Sequence, residues 1–228
     1  MLTRVVPRKP IFVSGRRWAF LIPLYRRGAT PTKQDDDSYQ IGVPETQRAA
    51  AARLYEQAFG RKLAVAIPND EMRLAIQEES LVLDKGFAAL LDGGLVGLAG
   101  VQTKDGSLTS GITATTLFRR LGVMRGVRAV AIFALYERSA EAGELLMDGI
   151  AVRADMRGKR IGTTLLDMVK QFGRDNGYKT VRLDVIDTNP DARRLYERQG
   201  FVATKTESFG YLRWLLGFGA ATTMVYTL

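Results

Sequence analysis

Apolar residues recur along this chain in two rhythms. A spacing of three to four residues over 44–59, with Ala50, Leu54 and Ala58 on one face, and again over 70–80 and 161–176, predicts helices. Shorter apolar runs predict strands: 39–43, 87–91, 95–102, 145–152, 180–186, 201–204 and 222–227. Punctuation supports these bounds. Pro44-Glu45-Thr46 opens the first helix, and Asp92-Gly93-Gly94 reads as a tight turn between two strands. Gly177 stops the helix over 161–176, while Pro190 opens and Gly200 stops one over 190–199. Residues 107–140 are mostly helical in pattern, with Ile112–Leu121 and Val127–Ser139 separated by Gly122 and Gly126. Strands alternating with helices predict one α/β domain over 38–228. No internal repeat or low-complexity tract interrupts it.

Residues 1–37 do not share this rhythm. They carry eight Lys/Arg against three Asp, and Pro7, Pro10, Pro23 and Pro31 discourage long helices. The segment reads as a basic, flexible leader. The whole chain has 228 residues, a net charge of +9 and 46% hydrophobic residues, enough for a packed core. Its longest apolar runs, Trp18–Tyr25 and Ala129–Tyr136, fall well short of the roughly 20 residues a membrane span needs. No membrane partner is expected. Basic charge attracts phosphates in general, but no nucleic-acid motif accompanies it, so nucleic acid is not an expected partner; salt-dependent DNA binding through the leader stays as the competing idea.

Cysteine and histidine are both absent. That removes disulfides, Ser-His-Asp triads, Cys-His dyads and His/Cys zinc sites, so no metal is expected. A cytoplasmic location fits a cysteine-free chain. Proton transfer near neutral pH falls to carboxylates, tyrosine, lysine or water.

The strongest chemical signal is a buried strand, a basic glycine-containing loop and an amphipathic helix in succession: Leu145–Val152, then Arg157-Gly158-Lys159-Arg160-Ile161-Gly162, then the helix from Ile161. A helix N-terminus presents unpaired amides and about half a positive charge, which suits an anion. Gly158 and Gly162 let the backbone approach a phosphate. The loop is neither a GxxxxGK[ST] nor a GxGxxG fingerprint. A structural turn with solvated basic residues is the plainer alternative.

The stretch Val152-Arg-Ala-Asp-Met-Arg157-Gly-Lys-Arg-Ile-Gly162 resembles the coenzyme-binding motif of the GNAT superfamily of acyl-CoA-dependent N-acyltransferases. Ala154 stands where proline is common and Arg160 where the middle glycine is common. A second block, Asn189-Pro-Asp-Ala192-Arg-Arg-Leu195-Tyr196-Glu-Arg-Gln-Gly200-Phe201, is similar to the family's N-x-x-A-x-x-L-Y-x-x-x-G-F. The resemblance is sharp over 144–201 and follows element order over 39–228, with 107–140 as a helical insertion.

The resemblance implies an α/β (α+β) fold with a mixed central sheet of about six to seven strands, in which the fourth strand splays from the fifth. It implies acetyl-CoA as cosubstrate, with the backbone of Ile150, Ala151 and Val152 along its arm. The amides of Arg157, Gly158, Lys159, Arg160, Ile161, Gly162 and Thr163 would hold the pyrophosphate. Asn189 would approach the reacting end, with Ala192 and Arg193 nearby. The implied reaction is transfer of an acetyl group to an amine by direct attack in a ternary complex.

Tyr196 is the candidate general acid, against a tyrosine merely packed on the sheet. Glu144 and Asp148, which share side-chain parity on one strand, compete for the general base, and a water chain could replace either. The acceptor is expected to be a small-molecule amine, with a protein or peptide acceptor and a non-catalytic acyl-CoA-binding module as alternatives. The apolar segment Phe209–Gly219 reads as an acceptor wall, a homodimer contact or a helix packed on the sheet. Arg119, Arg120, Arg125 and Arg128 read as a face for an anionic acceptor or as solvated charge.

Overall fold

The structure, a computed structural model, describes residues 38–135, 138–210, 213 and 217–228. The basic segment 1–37 lies outside the described residues, as does much of 209–219.

Among the described residues eight strands form one sheet. β1 (Ser38–Ile41), β2 (Gly86–Leu91), β3 (Gly94–Thr103), β5 (Glu144–Val152), β6 (Thr180–Ile186), β8 (Ala220–Thr227) and β7 (Val202–Ser208) lie side by side in that order, with the short β4 (Gly106–Ser107) on the end of β3. Every pairing is antiparallel except β5 with β6. Among the described residues six α-helices accompany the sheet: α1 (Arg48–Leu63), α2 (Asp70–Ser80), α3 (Ala114–Leu121), α4 (Val123–Ala134), α5 (Ile161–Asp175) and α6 (Pro190–Arg198). This is the mixed architecture that the resemblance implies, with the short β4 bringing the sheet to eight strands where about six to seven are expected, and with the interposed helical pair of the sequence pattern.

Helices cover both faces of the sheet at β2 and β3, and these two strands are apolar on both sides. α5 packs Leu165, Leu166 and Val169 onto Ala89, Ala99, Leu145, Met147, Val181 and Leu183. α1 packs Ala51, Ala52, Leu54 and Tyr55 onto Ala88, Leu98 and Ala151. The buried face of α1 is therefore turned from the expected one, and Ala58 is exposed. α2 is tied to α1 by Glu56, which accepts from Arg73 Nε at 2.8 Å and from Gln77 at 2.5 Å. Lys170 of α5 is buried but satisfied, bonding the carbonyl and side-chain oxygens of Gln199 at 3.0 Å each. It thereby fastens α5 to the end of α6.

The inserted helices differ in one respect from expectation. Only Gly122 separates them, and Gly126 lies inside α4. A Cβ on Gly126 would come within 2.4 Å of the Phe118 ring, so glycine here leaves room for that ring between the two helices. Their apolar residues Leu117 and Ala129 bury against Ile67 and Ile76, forming a separate small core with α2.

Candidate active site

β5 and β6 stay together for three residue pairs only: Glu144 with Thr180, Leu145 with Val181, and Leu146 with Arg182. Beyond that point β5 follows β3 to Val152 and β6 follows β8 to Ile186. The edge of β5 from Met147 to Val152 thus faces an opening in the middle of the sheet. Unpaired strand edges in a sheet interior leave backbone donors and acceptors for something else to satisfy.

A bulge sits at this opening. Gly100 pairs with Gly149 and the next residue, Val101, with Met147, so Asp148 is the extra residue. Bulges re-aim side chains. Leu145, Met147, Ile150 and Val152 all lie towards the α5 core. Glu144, Leu146 and Asp148 lie towards α1, as the shared parity of the two acids predicts. Phe59 of α1 presses on the bulge, since a Cβ on Gly149 would lie 2.4 Å from its ring.

At the far end of β5 the chain makes a tight turn and enters α5. Gly158 and Arg160 both take left-handed conformations, with φ of +78° and +62°. Alternating handedness turns successive amides inward into an anion-binding concavity. Arg157, Gly158, Lys159 and Arg160 are exposed, and Gly162 and Thr163 half-buried. Among the described residues no acceptor meets the amides of 158–163; the first used amide of the helix is that of Thr164, bonded to Arg160 O at 3.0 Å. Ile161 anchors the turn by burying against β3. Gly162 faces Leu195 of α6, where a Cβ would come to 3.3 Å. Arg157 Nε donates to Val152 O at 3.4 Å, within the loop itself. These residues fit a diphosphate: six open amides, three basic side chains and a helix start.

α6 begins at Asn189, whose Oδ1 accepts from Ala192 N at 3.2 Å. That oxygen is engaged as a helix cap. Ala192 packs against the α5-side core, and Arg193 pairs with Glu197 at 2.9 Å on the surface. Tyr196 is 7% exposed and stacks at a tilt on Phe201, with 5.9 Å between centroids. Burial pushes its phenol up to about 12, so it keeps its proton throughout the neutral range.

The two candidate acids lie in different surroundings. Glu144 sits where β5 and β6 are still paired, and its Oε2 accepts from Arg182 Nη1 at 3.2 Å and from the Glu141 amide at 3.1 Å. Asp148 sits just past the parting of the strands. Burial raises its carboxyl above the usual range, opposed by the Ser107 hydroxyl, Arg138 and the amides of Leu108 and Thr109. Its Oδ2 is buried without a hydrogen-bond partner.

Sequence reasoning missed the residues that surround Asp148. Tyr55, Phe59 and Lys62 occupy one stripe of α1 at helical spacing and turn towards it. Burial, and then Asp148, push the Tyr55 phenol well above its ordinary value. Burial and the nearby Arg138 push the Lys62 ammonium down to about 8, against Asp184 and Asp148, which favour its charge. Arg138 Nη1 bonds Asp184 Oδ2 at 2.5 Å, and Thr223 donates to Asp184 Oδ1 at 2.6 Å. The signals were present: a Tyr-Phe-Lys stripe, and charges alternating with Val181, Leu183 and Val185 along β6. A cavity of about 480 Å³ lies elsewhere, between Gln102–Lys104, Ser139–Glu144 and Tyr178 at the closed end of β5. It shares only Glu144 with the candidate residues.

A mixed sheet parted at its centre, next to a helix start with open amides, is the architecture of the acyl-CoA-dependent N-acyltransferases. Residues 48–201 match the Acetyltransferase (GNAT) family, and the chain belongs to it. Probable N-acetyltransferase camello of Xenopus tropicalis is 41% identical over 64 residues, which is 28% of this chain and 29% of that protein. Probable N-acetyltransferase family 8 member 5 of Mus musculus is 36% identical over 70 residues, 30% and 31% of the two chains. The aligned stretch thus spans about three tenths of these curated relatives. Among solved structures, the ribosomal-protein-S18-alanine N-acetyltransferase from Escherichia coli superposes with a TM-score of 0.51 and 18% identity over 84% of this chain and 93% of its own. A mutant agmatine N-acetyltransferase gives 0.53 and 16% over 85% and 100%. At these identities the likeness is one of fold.

Proposed function

We propose that this chain is an N-acetyltransferase that moves an acetyl group from acetyl-CoA to a small-molecule amine by direct attack in a ternary complex. One observation carries this reading: the open amides of 158–163 lie next to the free edge of β5, so a diphosphate and a thioester arm have adjoining places. When bound there, acetyl-CoA supplies an activated acetyl thioester. The chain has no cysteine or histidine to take up the acetyl group, which favours attack by the acceptor itself.

The chain's own residues then divide the work. The amides of 158–163, with Arg157, Lys159 and Arg160, bind the pyrophosphate and set the register of the arm along Ile150–Val152. Asp148, with its raised basicity and open Oδ2, takes the proton from the incoming ammonium. Glu144 is held by Arg182 and serves the sheet. Tyr196 keeps its phenolic proton and delivers it to the departing sulfur.

The test is thiol release from acetyl-CoA against a panel of amines, with CoA binding followed by thermal shift. A ligand at 100 times its Kd adds about 2.7 kcal/mol to stability. Asp148→Asn and Tyr196→Phe are expected to lower kcat by about 100-fold or more while keeping the CoA shift. Wild-type protein that shifts with CoA yet releases no thiol with any amine would mark a non-catalytic acyl-CoA-binding module instead.

A further inference from the structure

The inserted pair of helices leaves one apolar face uncovered. α4 turns Gly126 and Ala129 inward, towards the Phe118 ring and the small core it shares with α2. Its outward face is apolar as well. Met124, Val127, Ala131 and Leu135, the residue just past the helix end, follow one another at helical spacing. All four are exposed, Met124 at 88%. Of the eight large apolar side chains exposed among the described residues, five fall between 118 and 135: Phe118, Val123, Met124, Val127 and Leu135. Single exposed apolar residues are ordinary on a protein surface, whereas a contiguous group marks a place where something binds.

The charge around this face selects its occupant. From Gly106 to Tyr136 the chain has four arginines and neither aspartate nor glutamate. Arg119 and Arg120 pair with Glu79 of α2. On the helical wheel of α4, Arg128 stands within the apolar stripe and Arg125 beside it. Both are exposed and have no acid partner among the described residues; Arg128 Nη2 donates to the Val65 carbonyl at 3.1 Å. An apolar helix face edged by unneutralised cations complements a surface that is anionic outside and apolar beneath. A second copy of the chain complements it poorly. Across a two-fold contact the patch meets itself, and Arg125 and Arg128 would face the same two arginines.

We propose that α4 docks on the surface of an anionic lipid bilayer. Met124, Val127 and Leu135 enter the boundary between headgroups and acyl chains, and Arg125 and Arg128 reach back to the lipid phosphates. The short apolar runs that argue against a membrane partner bear on spanning the bilayer. A helix lying in its surface needs no such length. The proposal stands apart from the coenzyme site and does not depend on acetyl transfer.

The chain has no cysteine, so a single introduced one takes a label without background. Full-length Val127→Cys, carrying an environment-sensitive fluorophore, is mixed with vesicles of phosphatidylcholine alone or with about one third phosphatidylglycerol. Its emission is expected to rise and shift to the blue on the anionic vesicles only. The same label at Val202→Cys, exposed on β7, should stay unchanged. In vesicle sedimentation, Met124→Asp combined with Val127→Asp should weaken binding about tenfold or more. Arg125→Gln combined with Arg128→Gln should weaken it about 30-fold, since each cation at an anionic surface is worth about fivefold. The melting temperature of both pairs should match that of the wild type, because all four side chains are exposed. Failure of the wild-type chain to bind anionic vesicles, equal binding to neutral ones, or sedimentation with no change at position 127 overturns the proposal. So does a dimer in analytical ultracentrifugation that Met124→Asp with Val127→Asp dissolves, since the face would then serve a second copy.

Discussion

At Arg160 a side chain occupies a backbone conformation that costs a non-glycine residue about 1–2 kcal/mol. The position sits at the mouth of the open amides, where a guanidinium adds a charge that glycine could not. Arg160→Gly should relieve this strain, offset in part by the about 0.5–1 kcal/mol of backbone freedom that glycine loses. The expected outcome is a melting temperature that holds or rises without CoA, together with CoA affinity several-fold weaker by calorimetry. An unchanged affinity would take Arg160 out of the site. Tyr196 gives a pH prediction of definite sign. Its phenol titrates near 12 when folded and near 10 when unfolded. Below about pH 10 both states keep the proton and the stability is fully present. Above it the unfolded chain loses its proton first, so stability falls as pH rises towards 12. Tyr196→Phe should show a shallower fall in urea midpoint across that window, and identical slopes would contradict the burial of the phenol.

At the scale of the element, the start of α5 and the bulge of β5 each do something neither residue does alone. Six amides open at one end of a helix whose later amides are bonded internally give a sharp exchange pattern. Adding CoA should slow hydrogen exchange at 158–163 and leave the interior of α5, already protected, unchanged. Slowing confined to α6 would place the coenzyme elsewhere. The bulge at Asp148 brings Gly149 under the Phe59 ring. Gly149→Ala should therefore cost about 1–3 kcal/mol by overpacking. Part of that should return in a Gly149→Ala, Phe59→Ala double variant, read as a coupling in a double-mutant cycle.

At the scale of the molecule, every element of the candidate site lies within a compact unit running from Asp35 to Leu228. A chain shortened to residues 35–228 should keep the CoA thermal shift of the full chain. Loss of the shift would give the basic leader a part in coenzyme binding. Among the described residues no helix is long and apolar enough to cross a membrane.

Element order, most boundaries and the glycine-containing basic turn before α5 were legible in the sequence, because they follow from local rules. Hydrophobic period separates helix from strand, glycine and proline punctuate them, and the loop's amides, glycines and basic side chains are neighbours along the chain. What only the tertiary structure decided are relations between distant segments. Arg182 stands 38 residues from Glu144, and their pairing gives different surroundings to two acids that looked equivalent on a single strand. The extra residue at Asp148 exists only relative to the register of β3. The turn of α1 that brings Tyr55 and Lys62 over Asp148 depends on which helix face the sheet selects. Local propensity sets the elements, but burial and charge neutralisation between segments that meet only after folding choose which polar residues become the site.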